Sequence, residues 1–195
     1  ELTAKTLGLG VEDINNSKGL IASEKEISYT GKRLDNTEGK ILSDNEIALG
    51  VENIVNTKGI ISGSKIEIQG KSVDNTEGLI LSSNSINIES EKTDNTKGQI
   101  AGQRVEIAGK ELINKEGYVQ GDDLNLDTVK LDNERGILLA GDIKISARDL
   151  SNIEGHIQGS VLDLNIGNSL DNTKGLIYGE ESINITAKVL KNIES

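Results

Sequence analysis

The feature that most constrains the fold is a glycine that recurs every 19 or 20 residues. An asparagine stands three residues before each glycine, and the residue directly before the glycine is charged. Self-similarity at such a short, fixed period is the signature of a solenoid, in which each repeat packs only on its neighbours. The recurring glycines are Gly19, Gly39, Gly59, Gly78, Gly98, Gly117, Gly136, Gly155 and Gly175.

Within each repeat, aliphatic residues alternate with other residues, as in the pair Ile66 and Ile68. A period of two is typical of β-strands, and no stretch keeps a helical period. A repeat of about 20 residues cannot bury its own apolar face, so the repeats must stack. The sequence therefore predicts an all-β parallel β-helix (a solenoid) of about ten coils, with 19–20 residues and three short strands in each coil.

We expect residues 1–195 to form a single β-helix segment of a longer rod. Residues 1–13 are the expected tail of a preceding coil, residues 14–189 hold nine tandem repeats, and residues 190–195 begin a further coil. Repeat length varies mainly after the small residue that stands four positions beyond the glycine, which predicts a surface turn there. An extra residue near Gly167 predicts a β-bulge.

The asparagine column suggests how neighbouring coils are joined. An amide offers two donors and an acceptor, so stacked asparagines should hydrogen-bond from coil to coil. Asparagine also tolerates the left-handed backbone that a sharp corner requires. The predicted turn amides are Asn16, Asn36, Asn56, Asn75, Asn95, Asn114, Asn133, Asn152, Asn172 and Asn192.

The charged residues before the glycines alternate in sign without a break. Stacking would set each charge beside opposite charges in both neighbouring coils, for about 0.2–1 kcal/mol per exposed pair. The expected benefit is specificity, because a misregistered pairing sets like charges together. The column is Lys18, Glu38, Lys58, Glu77, Lys97, Glu116, Arg135, Glu154, Lys174 and Glu194.

Composition excludes several classes of function. The chain has no Cys, Pro, Met, Trp or Phe and a single His, so disulfides, Cys-based zinc sites and multi-His metal clusters are excluded. We expect no cofactor and no metal site. A net charge of −11 argues against binding to nucleic acid, whose phosphates require basic surfaces. No apolar run approaches the ~20 residues of a spanning helix, so we expect no membrane insertion.

Two further columns have alternative interpretations. A column of aspartates in five repeats is either a calcium site or a set of solvated turn acids, and the second is favoured because the glycine-rich nonapeptide of calcium-binding β-rolls is absent. A threonine column resembles an ice-binding face but breaks at Lys115, Glu134 and Ile153. The aspartates are Asp35, Asp74, Asp94, Asp132 and Asp171, and the threonines are Thr37, Thr57, Thr76, Thr96 and Thr173.

Catalytic residues are not predicted. Some β-helices cleave polysaccharides with carboxylates clustered in a groove. Here the closest approach to such a cluster is Asp122 and Asp123 beside Glu116, and these acids are expected to be solvated residues of a turn. His156 replaces one residue of a mixed outward column and is interpreted as a surface substitution. We therefore expect that the chain is not an enzyme.

The unit from Leu34 to Ile41, Leu-Asp-Asn-Thr-Glu-Gly-Lys-Ile, resembles the repeat of filamentous-haemagglutinin-type exoproteins. These are large bacterial adhesins and contact-dependent growth-inhibition proteins exported by two-partner secretion, and the resemblance covers essentially the whole chain. It implies a right-handed coil and a secreted or cell-surface, outer membrane-associated location. It also implies an outer-membrane secretion partner for the parent protein and a receptor on host or bacterial cells.

The expected function is a structural rod segment of a secreted or cell-surface adhesin, contributing to attachment to host or neighbouring cells. The alternative is the stalk of a contact-dependent growth-inhibition exoprotein that delivers a toxin. A β-helix carbohydrate-active enzyme is a distant alternative, because the repeat shapes no pocket. Continued sign alternation also predicts weak end-to-end self-association, with Glu194 near Lys18 of a second copy.

Overall fold

The computed structural model describes residues 1–194, and within that range the regular elements are all β-strands. The described residues include no helix with the length and apolar character needed to cross a membrane. The strands are β1 (Leu2–Leu9), β2 (Asp13–Asn15), β3 (Leu20–Asp35), β4 (Lys40–Ser43), β5 (Glu46–Val55), β6 (Ile60–Asp74), β7 (Leu79–Asp94), β8 (Gln99–Ala101), β9 (Arg104–Ile113), β10 (Tyr118–Gln120), β11 (Asp123–Asp132), β12 (Ile137–Leu139), β13 (Asp142–Ser151), β14 (His156–Asp171), β15 (Leu176–Thr186) and β16 (Val189–Lys191).

Strands of neighbouring coils pair in parallel, with partners 19 or 20 residues apart in sequence. Ile80 pairs with Ile61 on one side and with Ile100 on the other, so equivalent positions of the repeat stack directly on one another. The predicted all-β parallel β-helix of about ten coils is confirmed. This register fixes every column named below.

Each coil has three straight segments, although the strands themselves are often longer. β3, β6, β7 and β14 run for 15 or 16 residues, from the residue after the glycine to the residue before the asparagine. Pairing skips one residue inside the long strands, as at Lys71 between Gly70 and Ser72. We call this break the skip corner. The Asn-x-x-Gly turn forms the turn corner, and the small residue marks the third corner.

The core is a set of stacked aliphatic columns inside the coils. Ile61, Ile80 and Ile100 are fully buried, as are most members of the other inward columns. Thr93, the one polar residue in a column of Leu, Ile and Val, is also buried. Its hydroxyl lies 2.8 Å from that of Ser90, so the two groups satisfy each other inside the core.

One aromatic side chain fits inside the narrow coil because a glycine leaves room for it. Tyr29 is 2% exposed, and its hydroxyl lies 2.9 Å from the carbonyl oxygens of both Glu12 and Arg33. A Cβ on Gly31 would overlap the Tyr29 hydroxyl. Burial raises the pKa of the Tyr29 phenol, with a smaller contribution from the nearby Asp13 carboxylate.

The differences in repeat length fall where the sequence predicts them. Register shifts after the small residue separate Gly63 from Lys65 and Gly159 from Val161. The predicted bulge is confirmed as well, because Ala147–Asp149 lies opposite Ile166–Ser169, which leaves an extra residue at Gly167 and Asn168. The insertions lie at corners, so the inward columns stay in register.

Candidate functional site

The asparagine column lies inside the turn corner and forms a continuous chain of side-chain hydrogen bonds. Asn114 is fully buried, and its Nδ2 donates to Asn133 Oδ1 at 2.8 Å, while its own Oδ1 accepts from Asn95 Nδ2 at 2.7 Å. The same Nδ2 also lies 3.3 Å from the carbonyl oxygens of Gly117 and Ile137. Equivalent amide-to-amide bonds of 2.7 or 2.8 Å run from Asn16 to Asn192.

Backbone bonds complete the turn corner. Asn114 N donates to Asp132 O at 2.7 Å and Glu116 N donates to Glu134 O at 3.0 Å, both in the next coil. Gly117 N closes the turn on Asn114 O at 3.2 Å. Because the amides of Asn36 through Asn152 are 0% exposed, this column joins coils and offers no surface to a ligand.

The left-handed residue of the turn corner is the charged residue, and the sequence interpretation that gave this role to asparagine is wrong. In the described chain, φ lies between 53° and 58° at nine of the charged column members, from Lys18 to Lys174. Asparagine instead ends a strand and turns its amide inward, and the left-handed step falls two residues later. A non-glycine residue in this conformation costs roughly 1–2 kcal/mol, so the turn must be stabilised elsewhere.

The glycine of the turn corner is required by close packing. A Cβ on Gly117 would lie 2.5 Å from Asn114 Oδ1 and still closer to the carbonyl oxygen of Asn95 in the preceding coil. The same overlap occurs at each of the recurring glycines of the Asn-x-x-Gly turns from Gly39 to Gly175. Asparagine and glycine are therefore required together, because the asparagine amide occupies the space that a side chain at the glycine would need.

The alternating charges stack along the outside of the turn corner. Four neighbouring pairs lie within 4 Å, and the side chains in these pairs are 44% to 74% exposed. The pairs are Lys18–Glu38 at 3.7 Å, Lys58–Glu77 at 3.6 Å, Lys97–Glu116 at 3.8 Å and Arg135–Glu116 at 3.7 Å. Such exposed pairs stabilise weakly and are screened by salt.

Reversing one charge tests this column. Lys97→Glu puts three acids in succession, with Glu77 and Glu116 on either side, so we expect a loss of about 0.5–1 kcal/mol of unfolding free energy at low salt. The loss should shrink in 1 M salt, where the Debye length is about 3 Å. Urea unfolding at both salt concentrations measures it. Lys40→Glu, at an exposed lysine whose neighbours in both adjacent coils are Leu20 and Ile60, is the matched control, and equal losses at both sites would refute the stacking effect.

A second ladder of alternating charges, which was not predicted from the sequence, lines the skip corner. It consists of Glu12, Lys32, Glu52, Lys71, Glu91 and Lys110, in coils one repeat apart. Its ion pairs are shorter than those of the turn corner: Lys32–Glu12 at 3.0 Å, Lys71–Glu52 at 2.7 Å and Lys110–Glu91 at 2.8 Å. The hydrogen bonds from Lys71 and Lys110 lower the pKa values of the Glu52 and Glu91 carboxyls.

The sequence contains the signal for this second ladder. The six residues have the 19- or 20-residue spacing and alternate in sign. The column sits in the most variable part of the unit and gives way to Val129, so only alignment of the whole repeat reveals it. The chain is thus bordered by two charge ladders, at two different corners.

The aspartate and threonine columns bond to each other. Thr37 Oγ1 donates to Asp35 Oδ1 at 2.7 Å, and Thr37 N donates to the same oxygen at 3.1 Å. These bonds lower the pKa of the Asp35 carboxyl. Where the threonine column breaks, Lys115 pairs with Glu134 at 2.9 Å. Within residues 1–194, no group of three or more His, Cys, Asp or Glu is arranged to hold a metal ion.

A shallow hollow of about 390 Å³ lies on the outward side of β9, β11, β13 and β14. Its walls include Arg104, Asp123, Asp142, Lys144 and Asp163. Asp123 lies 3.7 Å from Arg104, whereas Glu116 lies at the turn corner with Lys97 and Arg135. Asp123 and Glu116 thus have separate basic partners.

Asp149, on β13, is the acid most strongly perturbed by its neighbours. It accepts hydrogen bonds from Arg148 Nε at 2.8 Å, Asn168 Nδ2 at 2.6 Å and Ser169 Oγ at 2.9 Å. These bonds, led by that of Arg148, lower the pKa of the Asp149 carboxyl to about 2. Asn168 belongs to the bulge, so the bulge supplies one of the hydrogen-bond donors to this carboxylate.

The lowered pKa predicts an acid-dependent loss of stability. Ionised Asp149 stabilises the fold at every pH above the unfolded-state pKa of about 3.9, and this contribution disappears as the pH falls through about 2. We expect Asp149→Asn to lower the melting temperature at pH 6 and to have a much smaller effect at pH 2. Thermal unfolding followed by circular dichroism measures both, with Asp127→Asn at an exposed strand position as control. A deficit independent of pH would contradict the assignment.

The outward side of the strand that follows each glycine forms what we call the outer strip. It consists of two columns: Leu20, Lys40, Ile60, Leu79, Gln99, Tyr118, Ile137, His156 and Leu176, and Ala22, Leu42, Ser62, Leu81, Ala101, Gln120, Leu139, Gln158 and Tyr178. Two residues, one from each column, form a row in each coil. Most of these side chains are half-buried, while Ile137, Leu176 and Tyr178 are 37% to 48% exposed.

No family model matches the chain, and neither a curated protein nor a solved structure matches it. Interpretation of function therefore depends on the repeat, its ladders and its surfaces.

Proposed function

We propose that the chain is a structural rod segment of a large secreted or cell-surface bacterial adhesin and contributes to attachment to host or neighbouring cells. The observation that carries the proposal is the unbroken in-register stack, in which the asparagine amides bond from Asn16 to Asn192. Stability in such a stack is a sum of terms between neighbours, so coils can be added without redesign of a core. At ~4.8 Å per coil, ten coils give a rod of roughly 45 Å.

The resemblance of the repeat to filamentous-haemagglutinin-type exoproteins supports the adhesin class and an outer-membrane secretion partner for the parent protein. The distribution of surface chemistry supports a scaffold. Many acids on the surface pair with a lysine one coil away, as in Lys71–Glu52 and Lys110–Glu91. We expect no catalytic turnover, and release of sugar from a polysaccharide would revive the enzyme alternative.

Tandem fusions test the rod. One, two and four copies, each carrying Ser195→Gly to supply the turn glycine at the junction, are placed between a surface anchor and a fluorescent tip. Direct fusion keeps Asn192 and the next Asn16 at the repeat's own 19-residue spacing. A rod predicts that tip height grows in proportion to copy number, by roughly 45 Å per copy. Matched Gly/Ser linkers should grow only as about the square root of their length. Square-root growth of the fusions would overturn the rod.

A separate experiment tests attachment. Inert beads coated with the chain are incubated with epithelial cells and with bacterial cells, and retained beads are counted against beads coated with an unrelated β-solenoid. Retention above that control supports a contribution to attachment, and retention equal to it removes attachment while leaving the rod intact. A toxin module at the carboxy-terminal end of the parent protein would assign the same rod to growth-inhibition delivery.

A further inference from the structure

The outer strip differs sharply from the rest of the surface. The chain is 27% charged with a net charge of −11, yet the strip contains no carboxylate, and Lys40 is its one lysine or arginine. Twelve of its eighteen positions are Leu, Ile, Ala or Tyr. Depletion of charge and enrichment of apolar and aromatic side chains are typical of the centre of a protein interface.

We propose that the outer strip is the interface at which a second copy of this chain packs face to face, with the two rods antiparallel. The arrangement has a two-fold axis in the plane of the interface and perpendicular to the rods. Such an axis sets each turn corner beside the turn corner of the other copy and reverses the order of its coils. This lateral contact goes beyond the proposed role as a rod and does not depend on it.

Apolar matching selects one register for the two copies. When the axis passes between the row of Gln99 and the row of Tyr118, Leu79 and Leu81 meet Ile137 and Leu139 of the second copy, and symmetry repeats the contact. These are the two rows in which both side chains are large and aliphatic. Tyr118 then lies next to the axis, at the centre of the interface. Aromatic side chains bury large areas, and the residues that dominate binding cluster near the centre of an interface.

The alternating charges of the turn corner independently select the same class of register. Because signs alternate from coil to coil, an axis between coils sets every charge opposite its counter-charge, whereas an axis through a coil sets like against like. In the register chosen by apolar matching, Lys97 faces Glu116 of the second copy and Glu77 faces Arg135. Complementary charges at a rim fix register and disfavour wrong pairings more than they add affinity.

The contact area predicts a weak, reversible dimer. Eight overlapping rows at ~4.8 Å and four residues at ~3.3 Å give roughly 500 Å² per copy, or about 1,000 Å² in total. Specific stable interfaces start near this size. Association is therefore expected at high protein concentration, and it should be measured near 0.15 M salt, where repulsion between two acidic rods is screened beyond about 8 Å.

Sedimentation equilibrium of the full chain and two matched variants is the first test. Leu79→Glu sets a carboxylate into the strip twice per dimer and should weaken dimerisation at least tenfold. Val161→Glu, at an outward valine of β14 that is 36% exposed and outside the strip, should leave it unchanged. Circular dichroism checks that both variants keep the fold, with Leu139→Glu as a second strip variant. A wild-type chain that stays monomeric at 0.5 mM, or a dimer that tolerates both strip variants, as end-to-end contact would, overturns the proposal.

Distances between spin labels test the register. The chain has no cysteine, so single labels can be introduced by Asp44→Cys and Glu181→Cys, at exposed positions beside the strip. The proposed register separates the two copies of either label by seven coils, or about 35 Å including the ~10 Å between sheets. A register shifted by one coil gives about 30 and 40 Å for the two sites, and parallel rods give short distances for both. Unequal or short distances overturn the proposed register.

Discussion

Gly117→Ala should lower the free energy of unfolding by about 3 kcal/mol, toward the upper end of what overpacking costs. The new Cβ would lie 2.5 Å from Asn114 Oδ1, 3.0 Å from Asn95 Nδ2 and closer still to the Asn95 carbonyl oxygen. That oxygen belongs to backbone tied into the neighbouring turns, so it cannot move aside as a flexible side chain would. Relief requires separating these two coils, which breaks the 2.7 Å bond from Asn95 Nδ2 to Asn114 Oδ1.

Gly50→Ala is the matched control for this substitution. A Cβ at Gly50 would point outward from β5, with its nearest neighbour, Thr30 Oγ1, at 3.6 Å. It should change stability by less than about 1 kcal/mol, and it can stabilise the fold by reducing the freedom of the unfolded chain. Urea unfolding of the two variants and of the wild type measures the difference. If the two alanines proved equivalent, close packing at the turn corner would not be the reason for glycine there.

The fold was predictable because its constraints repeat. One copy of the Asn-x-x-Gly unit means little, but nine copies at a period of 19 or 20 residues leave few ways to bury the aliphatic residues. The period-two alternation then separates inward from outward positions in every coil. Columns such as Ile61, Ile80 and Ile100 follow from that parity alone, and the structure places them in register in the core.

The features that the sequence did not predict depend on the direction in which backbone groups and side chains point at the corners of the coil. Turn statistics favour asparagine for a left-handed residue, but the Asn114 amide is committed to the interior, so the left-handed step moves to Glu116. The contact of Ser90 with Thr93 spans only three residues, yet it depends on both side chains turning inward at a corner that the sequence does not define. One column of the outer strip is already visible in the sequence as the mixed outward column that contains His156. The register adds the second column, which includes Leu81 and Leu139, to the same face.

Asn114→Leu should cost about 3 kcal/mol, because it removes one link from a buried hydrogen-bonded column. Leucine keeps the branched shape of asparagine, but its methyl groups are bulkier than the amide atoms, so overpacking adds to the loss of hydrogen bonding. Asn133 Oδ1 and the Ile137 carbonyl each lose a donor, and Asn95 Nδ2 loses its 2.7 Å acceptor. Each buried polar group left without its partner costs about 1–3 kcal/mol. Urea unfolding measures the loss, with Asn125→Leu at an exposed strand position as control.

Asn114→Asp separates hydrogen bonding from shape. An ionised aspartate in this buried column has no proton to donate to Asn133 Oδ1, and burial raises its pKa above the unfolded value of about 3.9. The variant should therefore be least stable relative to the wild type at neutral pH and should recover as the pH falls toward 4, where a protonated carboxyl can donate. A pH-independent deficit, or a leucine variant as stable as the wild type, would show that shape and not the amide chain holds adjacent coils together at this corner.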